Sequence, residues 1–510
     1  MHDKPETAPS GNLLDSSLTW ASLVAIAILF FLHPVGTSDL FWQMKAGELI
    51  WETNSVPGVD VFSFTAAGKP WHDHEWLANV VYYGAWRTGG FDFLSVLSFA
   101  VGLCLVASIY AGARALSRSE PIAVILAFFV CAASAQRIQQ FRPELLAFIF
   151  FSLLLWILFS ASAARRRRLW LIIPMHVLWA NFHASAIIGP ALIILSGAAL
   201  ILSARQRGRE APFSWRTLLL LSAASAAALA VNPYGPGIYT FPFEHMGHGF
   251  SLAVTSDWAK PGWFSPVADI SAWGLSAFAA VSLIMGWLAF RRGCLPWPEA
   301  LVALACLPAG PMMTRFVPFA VIALALFIAA CIGCAGKTSP GRESFLRVAS
   351  VALAFGALLV MWKSGPIHGL RSENGRVDIV LGLPVGLGFH AGDFPVEAAD
   401  FLERSPIEGR IFNDMSWGGY LIWRMWPGRK VFIDTRTPVY GDSFIKDYSD
   451  ALFDEERFSL LADKWRITHV LYDLRDLGAP EGPLEFLKNN PRWRPVYSDA
   501  NSVIFLRLAR

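Results

Sequence analysis

Residues 18–51 read LTWASLVAIAILFFLHPVGTSDLFWQMKAGELIW, an apolar run followed by an acidic residue and a mixed pattern. The run over 18–33 contains no Asp, Glu, Lys or Arg, as expected of a helix that crosses a bilayer. Asp39 stands shortly after it. The pattern that follows predicts an amphipathic helix lying in the membrane interface, with an apolar side formed by Leu40, Phe41, Met44, Leu49 and Ile50. The stretch therefore predicts a membrane span with an acidic group just beyond one end.

The composition extends this prediction to most of the chain. Of 510 residues, 55% are hydrophobic and 16% are charged, and the mean hydropathy is +0.45. Soluble proteins carry about 25% charged residues. The apolar runs fall within residues 12–364, whereas residues 365–510 resemble a soluble domain in composition. We therefore predict a polytopic α-helical membrane domain over 1–364 and a soluble domain over 365–510; the net charge of +3 gives no indication of nucleic-acid binding.

Eleven apolar runs are candidate transmembrane helices. They cover 18–33, 91–112, 121–135, 143–162, 169–181, 184–203, 216–232, 269–290, 297–312, 316–335 and 345–363. Several are shorter than the roughly 20 residues that span the hydrocarbon, a difference that flanking side chains or a thinner bilayer can accommodate. The first run is predicted to be retained, because the preceding segment is polar with little basic charge and no signal-peptide cleavage site follows.

Basic residues in the short loops predict the orientation. With the N-terminus inside the cell, the inner loops hold clusters such as Arg165–Arg168, whereas the short outer loops hold only Arg137, Arg142 and Arg315. Positive charge is enriched in cytoplasmic loops. Residues 34–90, which follow the first span, then form a large first outer loop. An odd number of spans places the C-terminal domain on the same outer side, whereas an even number would place it inside.

The first outer loop carries a second group of polar residues. From Trp71 we predict a helix with His72, Glu75, Trp76 and Asn79 on one face, accompanied by Asp73 and His74. Carboxylates such as Asp39 can accept a proton from a hydroxyl nucleophile, and an acid and histidine cluster can hold a divalent cation such as Mg²⁺ or Mn²⁺. Alternatively, Asp39 caps the interfacial helix and the cluster forms a first turn with favourable dipole interactions.

Further polar residues occur at the predicted outer ends of spans. Arg137 and Arg142 lie in the turn QRIQQFRPE, and Arg315 closes another turn. Arginine binds phosphate through two parallel hydrogen bonds, although interfacial snorkelling is an alternative. Asn181 and His183, in WANFHAS, fall at membrane depth, where polar side chains are functional candidates.

The six cysteines lie in apolar runs or beside their inner ends. This placement predicts neither a disulfide framework nor a zinc site. Cys331-x-x-Cys334 has redox spacing but closes an apolar helix, which favours a structural role.

The C-terminal segment is predicted to be an α/β domain. Strands RIFN, KVFID, THVLYD, RPVYSD and VIFLRL alternate with helices over 396–404, 417–426, 443–463 and 482–489. Ligands of α/β domains bind at strand ends, which makes Asp434 and Arg436 candidates. Trp417 and Tyr420 are candidates for acceptor contact. Alternatively, the tryptophans dock the domain on the membrane part, and Asp434 and Arg436 form a structural pair.

These segments together resemble the GT-C superfamily of membrane glycosyltransferases. The residues that carry the resemblance are DLFWQMKAGELIWETNSVPGVDVFSFTAAGKPWHDHEWL, WANFH, NPYG and NDMSWGGYLIW followed by VFIDTR, which look like a bacterial branch of that superfamily. SWGGYL is also similar to the acceptor motif of oligosaccharyltransferase catalytic subunits. Gly418 and Gly419 replace a Trp-Asp pair there, so peptide recognition is not carried over.

The resemblance implies a multi-pass protein of the bacterial inner membrane with a cytoplasmic N-terminus and a periplasmic or extracellular C-terminal domain. It implies transfer of a sugar from a polyprenyl-phosphate donor to a glycan, lipid or protein acceptor on the outer face. Asp39 would be the general base, with Asp73 or Glu75 as the second acid. The donor phosphate would be held by Arg137, Arg142, Arg315, Asn181 and His183. His72 and His74 would position the leaving group or a metal.

Two other classes of function compete with this hypothesis. A lipid or sugar transporter, or a flippase, would act without chemistry, and it predicts internal repeats and a site at the membrane midplane. The sequence shows no convincing repeat, and its polar groups gather at one face. A membrane scaffold would leave Asp39 and the His72–Glu75 cluster without a role.

Overall fold

The computed structural model describes residues 13–241, 270–336, 339–364, 368–369, 379–380, 385–474 and 484–508. The N-terminal part is helical, and helices cover each of the predicted apolar runs. They are α1 (Leu13–Phe31), α2 (Ser38–Thr53), α3 (Trp76–Ser117), α4 (Glu120–Ala133), α5 (Ala135–Ile138), α6 (Glu144–Phe159), α7 (Ile172–Phe182), α8 (Ile188–Gln206), α9 (Trp215–Leu229), α10 (Ile270–Arg291), α11 (Trp297–Cys306), α12 (Ala309–Met312), α13 (Val317–Cys334) and α14 (Pro340–Ser364).

Five helical stretches of the described chain are long and apolar enough to cross a membrane. They are Trp76–Ser117, Ala184–Gln206, Ser271–Arg291, Thr314–Cys334 and Pro340–Val360. Four shorter apolar stretches accompany them, at Ser16–Phe31, Glu120–Ala133, Glu144–Phe159 and Trp215–Leu229. The predicted polytopic helical architecture is confirmed, whereas the count of eleven spans stays a prediction. The centre of the bundle is α13, which is buried along most of its length and packs against α3, α10 and α11.

The helix predicted to begin at Trp71 begins instead at Trp76 and continues through the second predicted span as α3. A kink at Gly89 and Gly90 divides it, and Gly90 has a φ of 65° that favours glycine. The residues before it form a turn in which the Trp76 amide donates to the Asp73 carbonyl oxygen. The prediction that residues from Trp71 share a helical face is therefore wrong, because turn hydrogen bonds replace the helical ones.

Helix α2 forms as predicted, but its predicted setting is wrong. Its apolar residues Leu40, Phe41, Met44 and Ile50 are buried, and so is the polar Gln43. The helix packs against α3 on one side and against a helix of the C-terminal segment on another. Protein covers a surface that the sequence pattern assigned to the membrane interface.

The C-terminal segment contains a sheet, as the sequence predicts, and four of the five predicted strands form it in the part of the chain that the structure describes. Strands β1 (His368–Gly369) and β2 (Ile379–Val380) form a separate antiparallel pair, and the sheet has the order β3 (Arg410–Asn413), β4 (Ile467–Asp473), β6 (Ser502–Arg507), β5 (Trp493–Ser498). Only β3 and β4 run parallel. Helices flank the sheet: α15 (Val396–Arg404), α16 (Met415–Met425), α17 (Thr437–Tyr440), α18 (Asp442–Ala451) and α19 (Glu455–Trp465). A domain boundary at residue 364 stays a prediction.

Two predicted elements of this segment differ. The KVFID stretch joins no sheet, and Val431 instead forms a parallel bridge with Ser63 of the first outer loop. The predicted helix over 443–463 is two helices, α18 and α19, separated at Asp454, which caps α19 by accepting from the Arg457 amide. The predicted helix over 482–489 lies partly outside the described residues, and its described part contains a 3₁₀ turn at Glu485–Lys488.

A disulfide joins Cys294 and Cys334, which corrects the prediction that the placement of the cysteines supports no disulfide framework. Cys294 follows the end of α10 and Cys334 ends α13, and these two helices pack together. The sequence separation of 40 hides this proximity from the sequence analysis. Cys331 is free and buried, so the redox spacing Cys331-x-x-Cys334 is not used.

Candidate active site

Asp39 lies in the first turn of α2, where three segments of the chain meet. Thr37 caps the helix by accepting from the Leu40 amide, which fixes the start of α2 just before Asp39. Asp39 Oδ1 accepts from Trp42 Nε1 at 3.1 Å and from the Thr435 hydroxyl. Asp39 Oδ2 lies 3.2 Å from Arg142 Nη2, and the carboxylate side chain is 18% exposed. The predicted base is therefore oriented by its own helix, by the turn before α6 and by the C-terminal domain.

Glu75 is hydrogen-bonded to Gln43, which lies one helical turn after Asp39 in α2. Gln43 Nε2 donates to Glu75 Oε2 at 2.8 Å. Glu75 Oε1 lies 3.6 Å from His74 Nε2 and 3.7 Å from His183 Nε2. Burial, followed by the negative charges of Asp39, Asp73 and Glu144, raises the pKa of Glu75 to about 8. In the apo protein Glu75 therefore carries a proton at neutral pH.

Asp73 is buried behind this cluster and bound by Asn79. Asn79 Nδ2 donates to both carboxylate oxygens of Asp73 at 2.9 Å. Burial raises the pKa of Asp73 to about 6, because these hydrogen bonds offset only part of the desolvation. The bonds to Asn79 give Asp73 a role in holding the turn against α3.

Two of the three predicted arginines bind one further carboxylate, Glu144, at the start of α6, and the third, Arg142, binds Asp39. Arg137 Nη2 binds Glu144 Oε2, and Arg315 Nη2 binds Glu144 Oε1. Arg137 is buried, whereas the side chains of Arg142 and Arg315 are each 19% exposed. Three guanidinium groups thus face two carboxylates, Glu144 and Asp39, an arrangement that suits an additional anion.

Two candidates lie differently from the prediction. Asn181 accepts from Trp76 Nε1 at 3.0 Å and donates to the carbonyl oxygens of Val177 and Val231 at 2.8 and 2.7 Å. These bonds occupy its amide. The exposed His72 lies with its ring against that of Tyr234, at 5.3 Å between centroids, and outside the cluster of His74, Glu75 and His183.

Asp434 and Arg436 form a buried connection between the C-terminal domain and the first outer loop. Arg436 donates to both oxygens of Asp434 at 2.7–2.9 Å and to Asp60 Oδ1 at 2.7 Å. Tyr440 donates to Asp434 Oδ2 at 2.7 Å. The guanidinium also lies 4.5 Å from the centroid of the Trp71 ring. These contacts match the structural alternative, with the addition of Asp60 as a partner from the outer loop.

Trp417 and Tyr420 belong to α16 and are buried beside α2. Trp417 Nε1 donates to the Asp393 carbonyl oxygen at 2.9 Å. The Tyr420 ring lies 5.0 Å from that of Phe41, in an edge-on contact. Tyr420 thus packs α16 against α2, whereas the hydrogen bond of Trp417 stays within the C-terminal segment. The docking contact predicted for the tryptophans is made by Trp426, whose Nε1 donates to a backbone carbonyl oxygen of the first outer loop at 3.1 Å.

Gly418 and Gly419 of α16 allow backbones to touch on two sides. A Cβ at Gly418 would lie 2.1 Å from the Ile433 carbonyl oxygen, and one at Gly419 would lie 2.2 Å from the Ser38 carbonyl oxygen. Any larger residue would therefore collide with backbone. The pair sets the spacing between the start of α2 and residues 433–434, and so between Asp39 and the C-terminal domain.

Four contributors to this site were given no role on the basis of sequence alone: Gln43, Glu144, Trp42 and Thr435. Gln43 follows Asp39 by one helical turn, a spacing that would have placed both on one face. Glu144 stands two residues after Arg142, within the turn already singled out. No local signal identified Trp42 or Thr435, because their contacts are made across the fold.

His74, Glu75 and His183 fit a divalent cation. Their ligand atoms lie within 4.8 Å of one another. His183 Nε2 is buried and makes no hydrogen bond within the described residues, while Nδ1 lies 2.9 Å from Ser185 Oγ, which can fix the ring orientation. Two imidazoles and one carboxylate suit Zn²⁺ or Mn²⁺ better than Mg²⁺, which prefers oxygen ligands.

No family model matches the sequence, and no curated protein matches it. Solved structures with a similar fold do. The oligosaccharyltransferase of Archaeoglobus fulgidus in the apo form has a TM-score of 0.61 at 12% identity, covering 98% of this chain and 75% of that chain. The complex of the archaeal oligosaccharyltransferase AglB from the same organism with an inhibitory peptide and a dolichol-phosphate has a TM-score of 0.59 at 12% identity, covering 97% and 74%.

ArnT from Cupriavidus metallidurans bound to undecaprenyl phosphate has a TM-score of 0.52 at 15% identity, covering 98% of each chain. At these identities the similarity shows the fold alone. It confirms the predicted GT-C architecture across nearly the whole sequence. This chain shares its overall fold with these oligosaccharyltransferase and ArnT structures.

Proposed function

We propose that this protein transfers a sugar from a polyprenyl-phosphate donor to an acceptor at the outer face of the membrane. The observation that carries the proposal is the meeting of Asp39 with Glu75, Glu144, Arg142 and Arg315, which come from separate segments of the chain. Proteins of the same fold have been solved with dolichol-phosphate and with undecaprenyl phosphate. A cluster of acids and arginines suits transfer from such a lipid phosphate.

Asp39 serves as the general base in this proposal. It removes the proton from the acceptor hydroxyl, whose oxygen forms a bond to the anomeric carbon of the sugar. The bond between that carbon and the phosphate oxygen breaks, and its electron pair leaves with the polyprenyl phosphate. Trp42 and Thr435 both donate to Asp39 Oδ1, whereas Oδ2 has an ion pair with Arg142. We therefore assign receipt of the proton to Oδ2, the oxygen with fewer contacts.

Arg142 and Arg315 bind the donor phosphate, since their side chains are partly exposed at the cluster. The phosphate gains negative charge as the sugar leaves, and preorganised guanidinium groups stabilise that charge. The buried Arg137 holds Glu144, which in turn orients Arg315. A divalent cation held by His74, Glu75 and His183 would offset the charge of the leaving phosphate when bound.

The contacts between domains also support a common side for the site and the C-terminal domain. Arg436 and Asp60 join that domain to the first outer loop, so both must lie on one side of the membrane. The distribution of basic residues in the short loops favours the outer, periplasmic side for both. We propose residence in the bacterial inner membrane with this domain outside.

Release of free polyprenyl phosphate tests the proposal. The purified protein in nanodiscs is incubated with a panel of synthetic polyprenyl-phosphate sugars and extracted envelope acceptors, and the lipid products are followed by mass spectrometry. We expect the wild type to convert at least one donor and Asp39→Asn to lose on the order of 100-fold or more of that rate, because a general base contributes about 10²–10⁴-fold.

Asp92→Asn, at an exposed position just after the kink in α3, is the matched control and should retain the wild-type rate. Mass spectrometry of lipid that co-purifies with the wild type should reveal an isoprenoid phosphate. Equal donor turnover by the wild type and Asp39→Asn would contradict the assignment of the base. Absence of both turnover and isoprenoid binding would contradict the function itself.

A further inference from the structure

We propose that Thr435 is a positioning residue for Asp39, so that the C-terminal domain orients the reactive carboxylate. The inference rests on the proposed role of Asp39 and adds a residue that the sequence analysis did not select. It makes the active site a composite of the first outer loop and of a segment almost 400 residues further along the chain.

Three side chains form a closed set of hydrogen bonds around Asp39 Oδ1. The Thr435 hydroxyl donates to Oδ1, and Trp42 Nε1 donates both to Oδ1 at 3.1 Å and to Thr435 Oγ1 at 3.2 Å. Arg142 binds the other oxygen of Asp39 at 3.2 Å. The carboxylate plane is thus fixed at both oxygens, and the hydroxyl of Thr435 contributes one of the two neutral donors.

The backbone around Thr435 is held firmly in place. Its neighbours Asp434 and Arg436 are almost fully buried, and Arg436 bridges to Asp60 in the outer loop. Three residues earlier, the Phe432 carbonyl oxygen accepts from the Thr65 hydroxyl. Residue 435 is therefore pinned on both sides to the same loop that carries Asp39, which gives the hydroxyl a defined position.

Helix α16 sets the distance between the two partners. Gly419 approaches the Ser38 carbonyl oxygen directly before Asp39, and Gly418 approaches the Ile433 carbonyl oxygen directly before Asp434. Both contacts are between backbones and cannot relax by a change of rotamer. The hydrogen bond from Thr435 to Asp39 therefore depends on the docking of the C-terminal domain, and loss of docking would disorient the base.

A positioning role differs measurably from two simpler roles. A threonine that only supports the fold would change stability and leave turnover per folded molecule unaltered. A threonine that occupies the place of the acceptor hydroxyl would inhibit, so its removal would raise turnover. A positioning hydroxyl holds the carboxylate in its reactive orientation, so its removal lowers kcat per folded molecule and leaves the KM for the donor nearly unchanged.

The test compares Thr435→Val, which keeps the shape, with Thr435→Ser, which keeps the hydroxyl. Thr468→Val removes the hydroxyl of another half-buried threonine of the same domain and serves as the control. We expect Thr435→Val to lose on the order of 10- to 100-fold in kcat, as when a hydrogen bond to a charged group is lost. The KM for the donor should stay within about twofold, since the phosphate contacts are untouched.

Thr435→Ser should restore the wild-type kcat because it keeps the hydroxyl, and Thr468→Val should also keep it. Thermal unfolding of each variant in detergent reports folding, and Thr435→Ala replaces the valine variant if that one does not fold. Unchanged or increased kcat in the hydroxyl-free variant overturns the inference while Asp39-dependent turnover upholds the proposed function. Turnover that is independent of Asp39 overturns the proposed function instead.

Discussion

Gln43 donates to Glu75 at 2.8 Å, and this hydrogen bond joins the helix that carries Asp39 to the turn before α3. It holds Glu75 in a buried position among other acids, where its pKa is raised to about 8. Glu75 therefore keeps its proton at neutral pH. In this form it can donate a hydrogen bond, and a bound cation would displace the proton. This relationship gives the cluster a pH dependence that can be measured without any substrate.

Replacing Glu75 by Gln should stabilise the apo protein at alkaline pH. The pKa of Glu75 rises from its ordinary value of 4.5 to about 8 in the folded chain, so the folded state holds a proton that the unfolded state releases. The stability of the wild type accordingly falls as pH rises from about 4.5 to 8, and Glu75→Gln avoids that loss. We expect thermal unfolding in EDTA to show an advantage of several degrees for the variant at pH 8.5.

At pH 5 most of the same advantage should be absent, because the pH is then barely above the ordinary pKa of 4.5 and little of the pH-dependent loss of stability has occurred. Glu52→Gln, an exposed position near the end of α2, is the control and should show no such pH-dependent difference. A constant difference between Glu75→Gln and the wild type across this pH range would contradict the raised pKa.

Zn²⁺ or Mn²⁺ should bind the cluster of His74, Glu75 and His183 more tightly than Mg²⁺ does. The reason is the donor set, since imidazole nitrogen is a poor ligand for Mg²⁺. Calorimetric titration of the metal-stripped protein should give one site that is lost in His74→Ala and in His183→Ala. Binding should strengthen from pH 6 to pH 8.5 as Glu75 releases its proton.

His72→Ala is the matched control for the metal titration, because His72 is adjacent in sequence but lies against Tyr234. It should bind the metal as the wild type does. An equal loss of binding in His72→Ala and His74→Ala would show that the metal is held elsewhere.

Arg142→Gln should weaken binding of a polyprenyl phosphate. The side chain is partly exposed beside Asp39, so a phosphate can reach it, and a charged hydrogen bond lost at such a position costs about 1.5–3 kcal/mol. The expected Kd increase is on the order of tenfold or more, measured by tryptophan quenching or by a competition assay. Arg87→Gln removes an exposed charge from the part of α3 before its kink and should leave the Kd unchanged.

An equal Kd for Arg142→Gln and the wild type would show that Arg142 does not bind the phosphate and only pairs with Asp39. Arg137 is unsuitable for this comparison. Its buried pairing with Glu144 means that its removal leaves an uncompensated charge and lowers stability.

Gly419→Ala should loosen the C-terminal domain from the first outer loop. Its new Cβ would lie 2.2 Å from the Ser38 carbonyl oxygen, a backbone atom that cannot rotate away. Overpacking of this kind costs about 1–3 kcal/mol or more. We expect a lower unfolding temperature and faster release of the domain in limited proteolysis.

Gly392→Ala is the control, because a Cβ there meets no atom within 4 Å. Its unfolding temperature and its proteolysis rate should match those of the wild type. A proteolysis rate of Gly419→Ala equal to that of the wild type would mean that α16 does not set the docking distance.

Local pattern was sufficient for the helical membrane architecture and for the acids of the first outer loop. Apolar runs predict spans wherever hydrocarbon excludes polar groups, and most of the helices follow these runs within a few residues. Asp39 and the His72–Glu75 group were recognisable because ionisable residues beside a membrane span are costly to place there and are therefore candidates for function. The strands of the C-terminal sheet were predicted equally well, apart from KVFID, whose Val431 pairs with the outer loop instead.

What the pattern could not supply are the partners. Thr435 reaches Asp39 across a separation of 396 residues, and Arg436 reaches Asp60 across 376. Cys294 meets Cys334 because two helices pack, and α2 is buried because the C-terminal domain covers it. The sequence by itself determined which side chains are chemically able to act. Only the tertiary structure decided which of them meet, because a hydrogen bond or an ion pair depends on distances of a few ångströms that local periodicity does not encode.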